Sequence, residues 1–207
     1  MKATTMPTAV CLIRHGETDW NADERTQGST DIPLNDTGRA QAQATARALE
    51  AESWDTIVSS PLGRAFETAE IIAGVLGVTR IGTDPRLVER DYGEAEGVGI
   101  ADRDRLFPDK QIPGAEPWEA VQERMLTALT DVAERFPGRR VIVVSHGAAI
   151  LALLKHLSNG SINRKTVRLK NAGMNHLTYD GAWTIEAYNL SAYDAAEASE
   201  LGAAPGH

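Results

Sequence analysis

Two segments of this sequence share one arrangement, a short apolar strand that ends in a His-Gly pair. One segment covers residues 8–13 (TAVCLI) and is followed by Arg-His-Gly at 14–16. The other covers residues 140–145 (RVIVVS) and is followed by His-Gly at 146–147. Short apolar runs rich in β-branched residues are typical of strands that are buried on both faces. Each His-Gly pair therefore marks a point at which the chain leaves a buried sheet.

Helical patterns separate these strands along the chain. An alanine-rich stretch follows Asn35, whose side chain suits a helix N-cap. A second helix is predicted to take Ser60 as its N-cap and Pro61 as its first residue. Asp180 and Gly181 form the two-residue signal for a tight hairpin. The predicted strands lie at 8–13, 55–59, 79–82, 140–145, 175–179 and 182–188, and the predicted helices at 37–51, 62–76, 117–136 and 148–157.

Alternating strands and helices indicate an α/β fold. We expect a three-layer sandwich with a mostly parallel central sheet, helices on both faces, and one antiparallel strand brought in by the closing hairpin. The 207 residues, 42% of them hydrophobic, are enough for one domain, predicted to span 1–207. Residues 86–117 have mixed charge and many turn residues, which predicts an irregular cap segment with a short helix near 101–107. Residues 195–207 are small and polar, and we expect a flexible tail there.

Composition excludes several classes of function. The formal net charge of −8 argues against a nucleic-acid-binding protein, which needs many Lys and Arg residues to neutralise phosphates. Cys11 is the single cysteine of the sequence, which excludes a disulfide framework and favours a reducing compartment. No apolar run is long enough to span a membrane, and the N-terminus lacks the pattern of a signal peptide. We therefore predict a cytoplasmic protein without membrane partners.

The two His-Gly pairs have a second consequence. In open α/β sheets the ligand crevice lies outside the carboxyl ends of the strands, so His15 and His146 are expected to meet there. One strand-end histidine would be unremarkable. The repeated arrangement makes both candidates for the chemistry of this protein.

The surrounding motifs resemble those of a known family. Residues 12–18 (LIRHGET), followed by Trp20 and Asn21, are similar to the Arg-His-Gly signature of the histidine phosphatase superfamily, whose fold is phosphoglycerate mutase-like. The resemblance covers about residues 10–190. The match continues in the expected order through Gln27-Gly28, Asp31, Pro33-Leu34, Gly38, residues 59–62 (SSPL), Arg64-Ala65, Thr68-Ala69, Leu87, Glu89, Gly93, Glu96-Gly97 and residues 144–147 (VSHG).

This resemblance implies a role for six residues. It implies that His15 is the nucleophile that forms a phosphohistidine, and that Glu89 is the general acid and then the general base. Attack requires a neutral imidazole, and the leaving oxygen requires a proton. The implied phosphate-binding residues are Arg14, Asn21, Arg64 and His146. Pro61, at the start of a helix, is expected to leave amide donors free for an anion near Arg64.

The chemistry of a phosphomonoester agrees with these residue types without the family name. The phosphoryl group spreads negative charge over three oxygens, and forked guanidinium donors match it. The proposed chemistry needs no cofactor and no metal ion. The candidate substrate-binding residues are Gln27, Gly28, Arg90, Tyr92, Arg103 and Gly147.

Each assignment has a structural alternative. Arg64 could form an ion pair with Glu67 or Glu70 on its own helix. Glu89 lies between basic residues at 86 and 90 and could be a surface ion-pair partner. Asn21 could cap a turn.

The resemblance leaves a choice between hydrolysis and phosphate transfer. Cofactor-dependent mutases of this kind have a basic insertion after the Glu89 region, whereas here only about 27 residues separate Glu89 from Glu116. We therefore favour a phosphatase acting on a small molecule such as a phosphoglycerate, a glucosylated phosphoglycerate or phosphoserine. The alternatives are a cofactor-dependent phosphoglycerate mutase and a catalytically silent module that binds a phosphorylated ligand. The resemblance also implies a tendency to form homodimers.

Overall fold

The computed structural model describes residues 6–193, so the predicted tail at 195–207 lies outside the described residues. The strands are β1 (Thr8–Arg14), β2 (Thr56–Ser59), β3 (Ile81–Thr83), β4 (Arg140–Ser145), β5 (Met174–Tyr179) and β6 (Trp183–Leu190). The helices are α1 (Asp19–Ala22), α2 (Asp36–Leu49), α3 (Gly63–Leu76), α4 (Ile100–Leu106), α5 (Trp118–Arg135) and α6 (Gly147–Leu157), with two 3₁₀ turns at Pro85–Leu87 and Gly93–Ala95.

The six strands form one sheet in the order β3-β2-β4-β1-β5-β6. The pairs among β1, β2, β3 and β4 are parallel. β5 pairs antiparallel with both β1 and β6, so it is the strand that runs against the others. The expectation of a mostly parallel sheet with one antiparallel strand is confirmed. Gly181, at φ 101°, allows the tight turn between β5 and β6.

Helices cover both faces of the sheet because alternate strand residues point to opposite sides. On one face, β1 and β4 pack Leu12 and Val143 against α5 and α6. On the other face, Ile13 and Val144 pack against α2 and α3. The three-layer sandwich predicted from the sequence is therefore present, with one apolar core on each side of the sheet.

The helix starts follow the predicted caps in one case and depart from them in another. Asn35 caps α2, since its side-chain oxygen accepts a hydrogen bond from Gly38 N at 2.8 Å. The prediction that Ser60 caps α3 is wrong, because α3 begins at Gly63 after Leu62, which makes no side-chain cap bond. The Ser60 hydroxyl lies instead 2.8 Å from His146 Nε2. A contact with a residue remote in sequence has taken the side chain that resembled a cap.

The cap segment is largely irregular, as its turn-rich sequence predicts. It contains α4 and the two 3₁₀ turns, and its beginning is fixed by Arg124 on α5. The Arg124 guanidinium donates to the carbonyl oxygens of Arg86 and Val88, both at 2.7 Å, and of Glu89 at 3.1 Å. These bonds hold the backbone of the predicted acid–base residue against a long helix. Within residues 6–193, none of the helices combines the length and apolar character needed to cross a bilayer.

Candidate active site

A cavity of about 870 Å³ opens at the carboxyl ends of β1 and β4. His15, Arg14 and Glu89 line it at the sheet, and the cap segment and the loop between α6 and β5 form its outer walls. The two strands are paired in parallel, with Arg14 beside Ser145. Both His-Gly pairs therefore emerge side by side, as the strand pattern predicts.

The orientation of His15 is fixed by its own backbone. Its Nδ1 atom lies 2.6 Å from the carbonyl oxygen of Gly16, and a carbonyl can only accept, so the proton is assigned to Nδ1. Burial, followed by the charges of Arg64 and Arg14, lowers the pKa of His15 well below its usual value. The ring is thus neutral at neutral pH. Its Nε2 atom keeps a lone pair, which is the state a nucleophilic histidine needs.

Arg14 presents an unused donor next to this ring. Its Nη1 atom donates to Leu169 O at 2.7 Å, whereas its buried Nε atom has no hydrogen-bond partner. Burial lowers the pKa of Arg14 to about 10, so the guanidinium remains charged at neutral pH. A Cβ atom at Gly147 would lie 3.1 Å from Arg14 Nε. Glycine at this position therefore leaves room for the guanidinium.

Arg64 is completely buried and is held by a loop rather than by its own helix. Nη2 donates to Gly28 O at 2.7 Å and Nη1 to Thr30 O at 2.9 Å, with Asp31 Oδ1 at 3.4 Å. Its Nε atom, like that of Arg14, is buried without a partner. The alternative pairing with Glu67 or Glu70 is wrong, because among the described residues Arg64 pairs with Asp31, and Glu67 pairs with Arg39 at 2.7 Å.

Glu96 fixes the loop that holds Arg64. Its carboxylate accepts from Ser29 N at 2.7 Å and from Thr30 N at 2.8 Å, and also from the Thr30 hydroxyl. A Cβ atom at Gly28 would lie 2.1 Å from Glu96 Oε1, so only glycine permits this close approach. Gly28 does not line the cavity; its carbonyl is used to orient Arg64.

The start of α3 differs from the expectation of free amide donors. Gly63 N donates to Asp31 Oδ2 at 2.6 Å, so a side chain of the protein already occupies this helix N-terminus. The correction has a simple physical reason. Asp31 lies beside both the buried Arg64 guanidinium and the exposed amide at the helix start, and a negative charge is favourable next to each.

His146 lies deeper than His15 and does not line the cavity. The two ring centroids are 5.1 Å apart. The Nε2 atom is 2.8 Å from Ser60 Oγ, and Nδ1 is buried without a partner. Burial, followed by the charge of Arg64, lowers the pKa of His146 well below its usual value. The ring is therefore a neutral hydrogen-bonding group in this structure.

Glu89 is buried at the first turn of α6. Its Oε2 atom accepts from Ala148 N at 3.0 Å, and its Oε1 atom accepts from Ala149 N at 2.9 Å and from Arg90 N at 2.8 Å. Glu89 has 7% of its surface exposed, and no basic side chain within residues 6–193 forms an ion pair with it. The interpretation of Glu89 as a surface ion-pair partner is therefore wrong. The backbone amides hold the carboxylate in one orientation at the edge of the cavity.

A domain-family comparison agrees with this geometry. The model of the histidine phosphatase superfamily (branch 1) matches residues 10–191. The chain belongs to the histidine phosphatase superfamily. The resemblance inferred from the motifs is therefore confirmed.

Relatives of this histidine phosphatase have two kinds of name. The uncharacterized phosphatase PhoE of Bacillus subtilis is 43% identical over 90% of this chain and 96% of its own length. The probable phosphoglycerate mutase GpmB of Cronobacter sakazakii is 37% identical over 93% of this chain and 98% of its own length. The sequence relatives thus include both a phosphatase and a mutase by name.

Two solved structures share the fold of this histidine phosphatase. A mycobacterial glucosyl-3-phosphoglycerate phosphatase superposes with a TM-score of 0.79 at 29% identity, covering 88% of this chain and 99% of that one. A phosphoserine phosphatase from Entamoeba histolytica, in complex with 3-phosphoglyceric acid, superposes with a TM-score of 0.78 at 26% identity, covering 89% and 98%. Both confirm the phosphoglycerate mutase-like fold of this chain.

Asn21 and Gln27 line the inner cavity and are linked to each other. Asn21 Nδ2 donates to Gln27 Oε1 at 3.2 Å, and the Asn21 side chain also accepts from Thr18 N at 3.3 Å. The turn-capping alternative for Asn21 is therefore present together with its position at the cavity. Gln27 Nε2 is buried without a partner and is free to donate.

The loop between α6 and β5 also lines the cavity, and none of its residues was among the predicted site residues. This loop contributes four polar or basic side chains to the cavity, and Asn171 among them donates to His15 O at 3.2 Å and to Asn21 Oδ1 at 3.0 Å. No apolar periodicity marks such a loop, although its run of basic residues was visible. The cap-side candidates Arg90, Tyr92 and Arg103 also line the cavity, as does Gly147. The loop residues are Arg164, Arg168, Lys170 and Asn171, with Val167 and Leu169 between them as apolar lining.

The part of the chain between residues 6 and 193 holds no group of three or more His, Cys, Asp or Glu side chains suited to a metal ion.

Proposed function

We propose that this chain hydrolyses phosphomonoesters of small metabolites through a phosphohistidine at His15. One observation carries the proposal. The Nδ1 atom of a neutral, buried imidazole is committed to Gly16 O, which leaves Nε2 available beside two arginines whose buried Nε atoms have no partner. An incoming phosphoryl group supplies the missing acceptors and is attacked by the imidazole.

The proposed reaction has two steps. In the first, His15 Nε2 attacks phosphorus, the P–O ester bond breaks, and protonated Glu89 gives its proton to the leaving oxygen. In the second, Glu89 takes a proton from water, the water oxygen attacks phosphorus, and the P–N bond breaks to release phosphate. Arg14 and Asn21, which line the cavity, hold the phosphoryl oxygens in both steps. Arg64 and His146 do not line the cavity, and we assign them to the same oxygens through Arg64 Nε and His146 Nδ1, which are buried without a partner. Preorganised donors of this kind are the main source of catalysis in phosphoryl transfer.

Each proposed role has support in the contacts. The neutral state of His15 suits attack, and the amides of Ala148 and Ala149 aim the Glu89 carboxyl at the cavity edge. Burial, followed by the charges of Arg64 and Arg14, lowers the pKa of His15 and keeps the ring unprotonated, and the two charges also attract the dianion. The donor set is complete without a metal ion, so we propose a metal-independent reaction.

The proposed substrate is a small phosphorylated acid. Two structural relatives are named for glucosyl-3-phosphoglycerate and phosphoserine, which makes phosphoglycerate, glucosyl-phosphoglycerate and phosphoserine the first compounds to assay. Homodimer formation, a cytoplasmic location and the organisation of residues 1–207 as one domain stay predictions.

The test is phosphate release from these compounds in the presence of a chelator, together with trapping of a phosphorylated protein by an alkaline quench, because the P–N bond of phosphohistidine is labile in acid. We expect wild-type protein to release phosphate and to form an alkali-stable phosphoenzyme, and His15→Ala to do neither. His156→Ala is the matched control, because His156 is exposed on α6 away from the cavity. Undiminished turnover by His15→Ala, or no turnover of any substrate by wild type, would overturn the proposal.

The mutase alternative is favoured by the name of one relative and is tested in the same assay. A mutase returns isomerised phosphoglycerate and depends on a bisphosphoglycerate primer. We expect free phosphate as the main product, with no dependence on the primer.

A further inference from the structure

We propose that Ser60 is a positioning residue for the reaction: its hydroxyl donates a hydrogen bond to His146 Nε2 and keeps the ring in the tautomer whose Nδ1–H donates to a phosphoryl oxygen. This inference rests on the proposed function, since it assigns the chemical state in which His146 meets the substrate. Ser60 does not line the cavity, so it acts only through His146. The result is a donor, rather than a lone pair, beneath the phosphoryl group.

His146 can present either a donor or an acceptor at Nδ1. Burial, followed by the charge of Arg64, lowers the pKa of the ring well below its usual value, so it carries one N–H rather than two at neutral pH. If that hydrogen is on Nε2, the Nδ1 lone pair meets the phosphoryl oxygens and repels them. If the hydrogen is on Nδ1, this atom donates to them. The tautomer therefore decides whether His146 binds the phosphoryl group or opposes it.

The contacts of the Ser60 hydroxyl select between the two tautomers. Its oxygen accepts from Leu62 N at 3.3 Å and lies 2.8 Å from His146 Nε2, and within residues 6–193 the hydroxyl has no other hydrogen-bond contact. A backbone N–H can only donate, so Leu62 N cannot receive the hydroxyl hydrogen. His146 Nε2 is the one acceptor left for it. A hydrogen on Nε2 would leave the hydroxyl hydrogen without an acceptor in a completely buried residue.

The surroundings of Nδ1 favour the same tautomer. His146 Nδ1 and Arg64 Nε are both buried, and neither has a hydrogen-bond partner. A lone pair on Nδ1 would be a buried acceptor in the field of the Arg64 guanidinium, yet no hydrogen bond joins the two side chains. A hydrogen on Nδ1 makes both atoms donors. Buried donors without acceptors are costly, and the phosphoryl oxygens supply the acceptors that both lack.

The sheet holds Ser60 at a fixed distance from His146. Ser60 N donates to Val144 O at 2.9 Å, and Val144 lies on β4 two residues before His146. β2 and β4 pair in parallel, with Ser59 beside Val144. The Ser59 hydroxyl donates in turn to Ser60 O at 2.9 Å. The ends of two central strands, rather than a side chain on a surface loop, therefore present the hydroxyl to the ring.

The tautomer can be measured on the wild-type protein. Long-range proton–nitrogen NMR spectra of protein with isotope-labelled histidine distinguish a ring nitrogen that carries a hydrogen from one that has a lone pair, and His146→Gln assigns the signals. At neutral pH we expect the hydrogen of His146 on Nδ1 and the lone pair on Nε2. Saturating inorganic phosphate should shift the Nδ1 signal. A hydrogen on Nε2 in the free protein, or an Nδ1 signal that saturating phosphate does not move, would overturn the proposal.

Ser60→Ala removes the hydroxyl, and Ser59→Ala is its matched control. Ser59 is also completely buried and loses one hydroxyl hydrogen bond in the same substitution, but it has no hydrogen bond to His146 among the described contacts. We expect Ser60→Ala to transfer part of the His146 population to the Nε2–H tautomer and to lower kcat about tenfold, the effect of one net hydrogen bond. Ser59→Ala should change neither. An unchanged tautomer in Ser60→Ala, or an equal change in Ser59→Ala, would contradict the proposal.

A double-mutant cycle separates positioning of the ring from a purely structural role of Ser60. In a His146→Ala background there is no ring left to position, so adding Ser60→Ala should change kcat by less than about twofold. A loss of about tenfold in both backgrounds would show that Ser60 acts without His146 and would rule the proposal out.

The NMR measurement also separates this outcome from failure of the proposed function. If wild type hydrolyses no phosphomonoester, the proposed function fails, whereas the spectra of wild type and Ser60→Ala still decide whether Ser60 sets the tautomer. If turnover is normal and His146 carries its hydrogen on Nε2, the proposed function stands and this inference fails. If Ser60→Ala does not fold, the wild-type spectrum decides alone.

Discussion

The two His-Gly pairs are alike in sequence and differ in structure. His15 lines the cavity with Nδ1 bound to Gly16 O, whereas His146 lies beneath it with Nε2 against Ser60 Oγ. After β1 the chain enters a loop, while after β4 it turns directly into α6 with His146 as the N-cap residue. The same dipeptide at neighbouring strand ends therefore gives one ring that lines the cavity and one that lies beneath it.

The glycines of the two pairs differ in the same way. A Cβ atom at Gly16 would lie 2.3 Å from the backbone oxygen of Gly38, so main-chain atoms leave no room for a side chain at this position. A Cβ atom at Gly147 would meet Arg14 Nε at 3.1 Å, which is a side chain of the site. Gly16 is needed by the fold, and Gly147 by the geometry of a binding residue.

The largest expected effect separates the two histidines. We expect His15→Ala to lower kcat by about 10⁴-fold or more, since it removes the nucleophile. His146→Ala removes one hydrogen-bonding group and should cost about 10²- to 10³-fold, with phosphoenzyme still formed slowly. Single-turnover kinetics with an alkaline quench measures both steps. Equal losses in the two variants, or a phosphoenzyme in His15→Ala, would contradict the assigned difference.

The glycines give an intermediate effect. Gly16→Ala should lower the free energy of unfolding by about 3 kcal/mol, because a backbone contact cannot move aside cheaply. Gly147→Ala should change stability by less than about 1 kcal/mol and instead lower kcat/KM by about tenfold through displacement of Arg14. Urea unfolding of both variants measures the change in the free energy of unfolding, and steady-state kinetics of both measures the change in kcat/KM. A stable, impaired Gly16→Ala together with an unfolded Gly147→Ala would reverse the interpretation.

The effect that is smallest for each histidine and each pH unit is a pH dependence of stability. Both histidines have folded-state pKa values well below the unfolded value of about 6.5, chiefly because of burial. Below pH 6.5 the unfolded chain binds protons that the folded chain does not. The free energy of unfolding therefore falls by about 1.4 kcal/mol for each histidine and for each unit by which the pH is lowered. Urea unfolding between pH 7 and pH 5 measures this slope. His15→Gln and His146→Gln should each reduce the slope of the free energy of unfolding against pH by the contribution of one histidine. An unchanged slope in either variant would show that the replaced ring is not held neutral.

Much of this site could be predicted from sequence because its chemistry follows strand ends. The apolar runs at 8–13 and 140–145 fixed where β1 and β4 end, and parallel strands bring those ends together. His15, His146 and Arg14 follow directly from that local pattern. Arg64 and Glu89 could be named only through the family motif, because their positions depend on how α3 and the cap segment pack.

The failures of prediction have a physical cause as well. Ser60 resembled a helix cap, and the amides after Pro61 resembled a free anion site. Local spacing alone cannot show which residues distant in sequence contact these groups in the folded chain. Asp31 accepts a hydrogen bond from the Gly63 amide, and His146 contacts the Ser60 hydroxyl. The loop that carries Arg164 and Asn171 has no periodic pattern, so its position beside the cavity could not be predicted from the sequence.

The amino-acid sequence by itself determined the α/β architecture, the family and the histidines at the strand ends, since each depends on short-range pattern and residue type. The tertiary structure decided which ring faces the cavity, which arginine donors stay unpaired, and which basic residues line the cavity. Those outcomes depend on contacts between residues far apart in the chain, where burial and charge compensation select one arrangement among many that the local sequence allows.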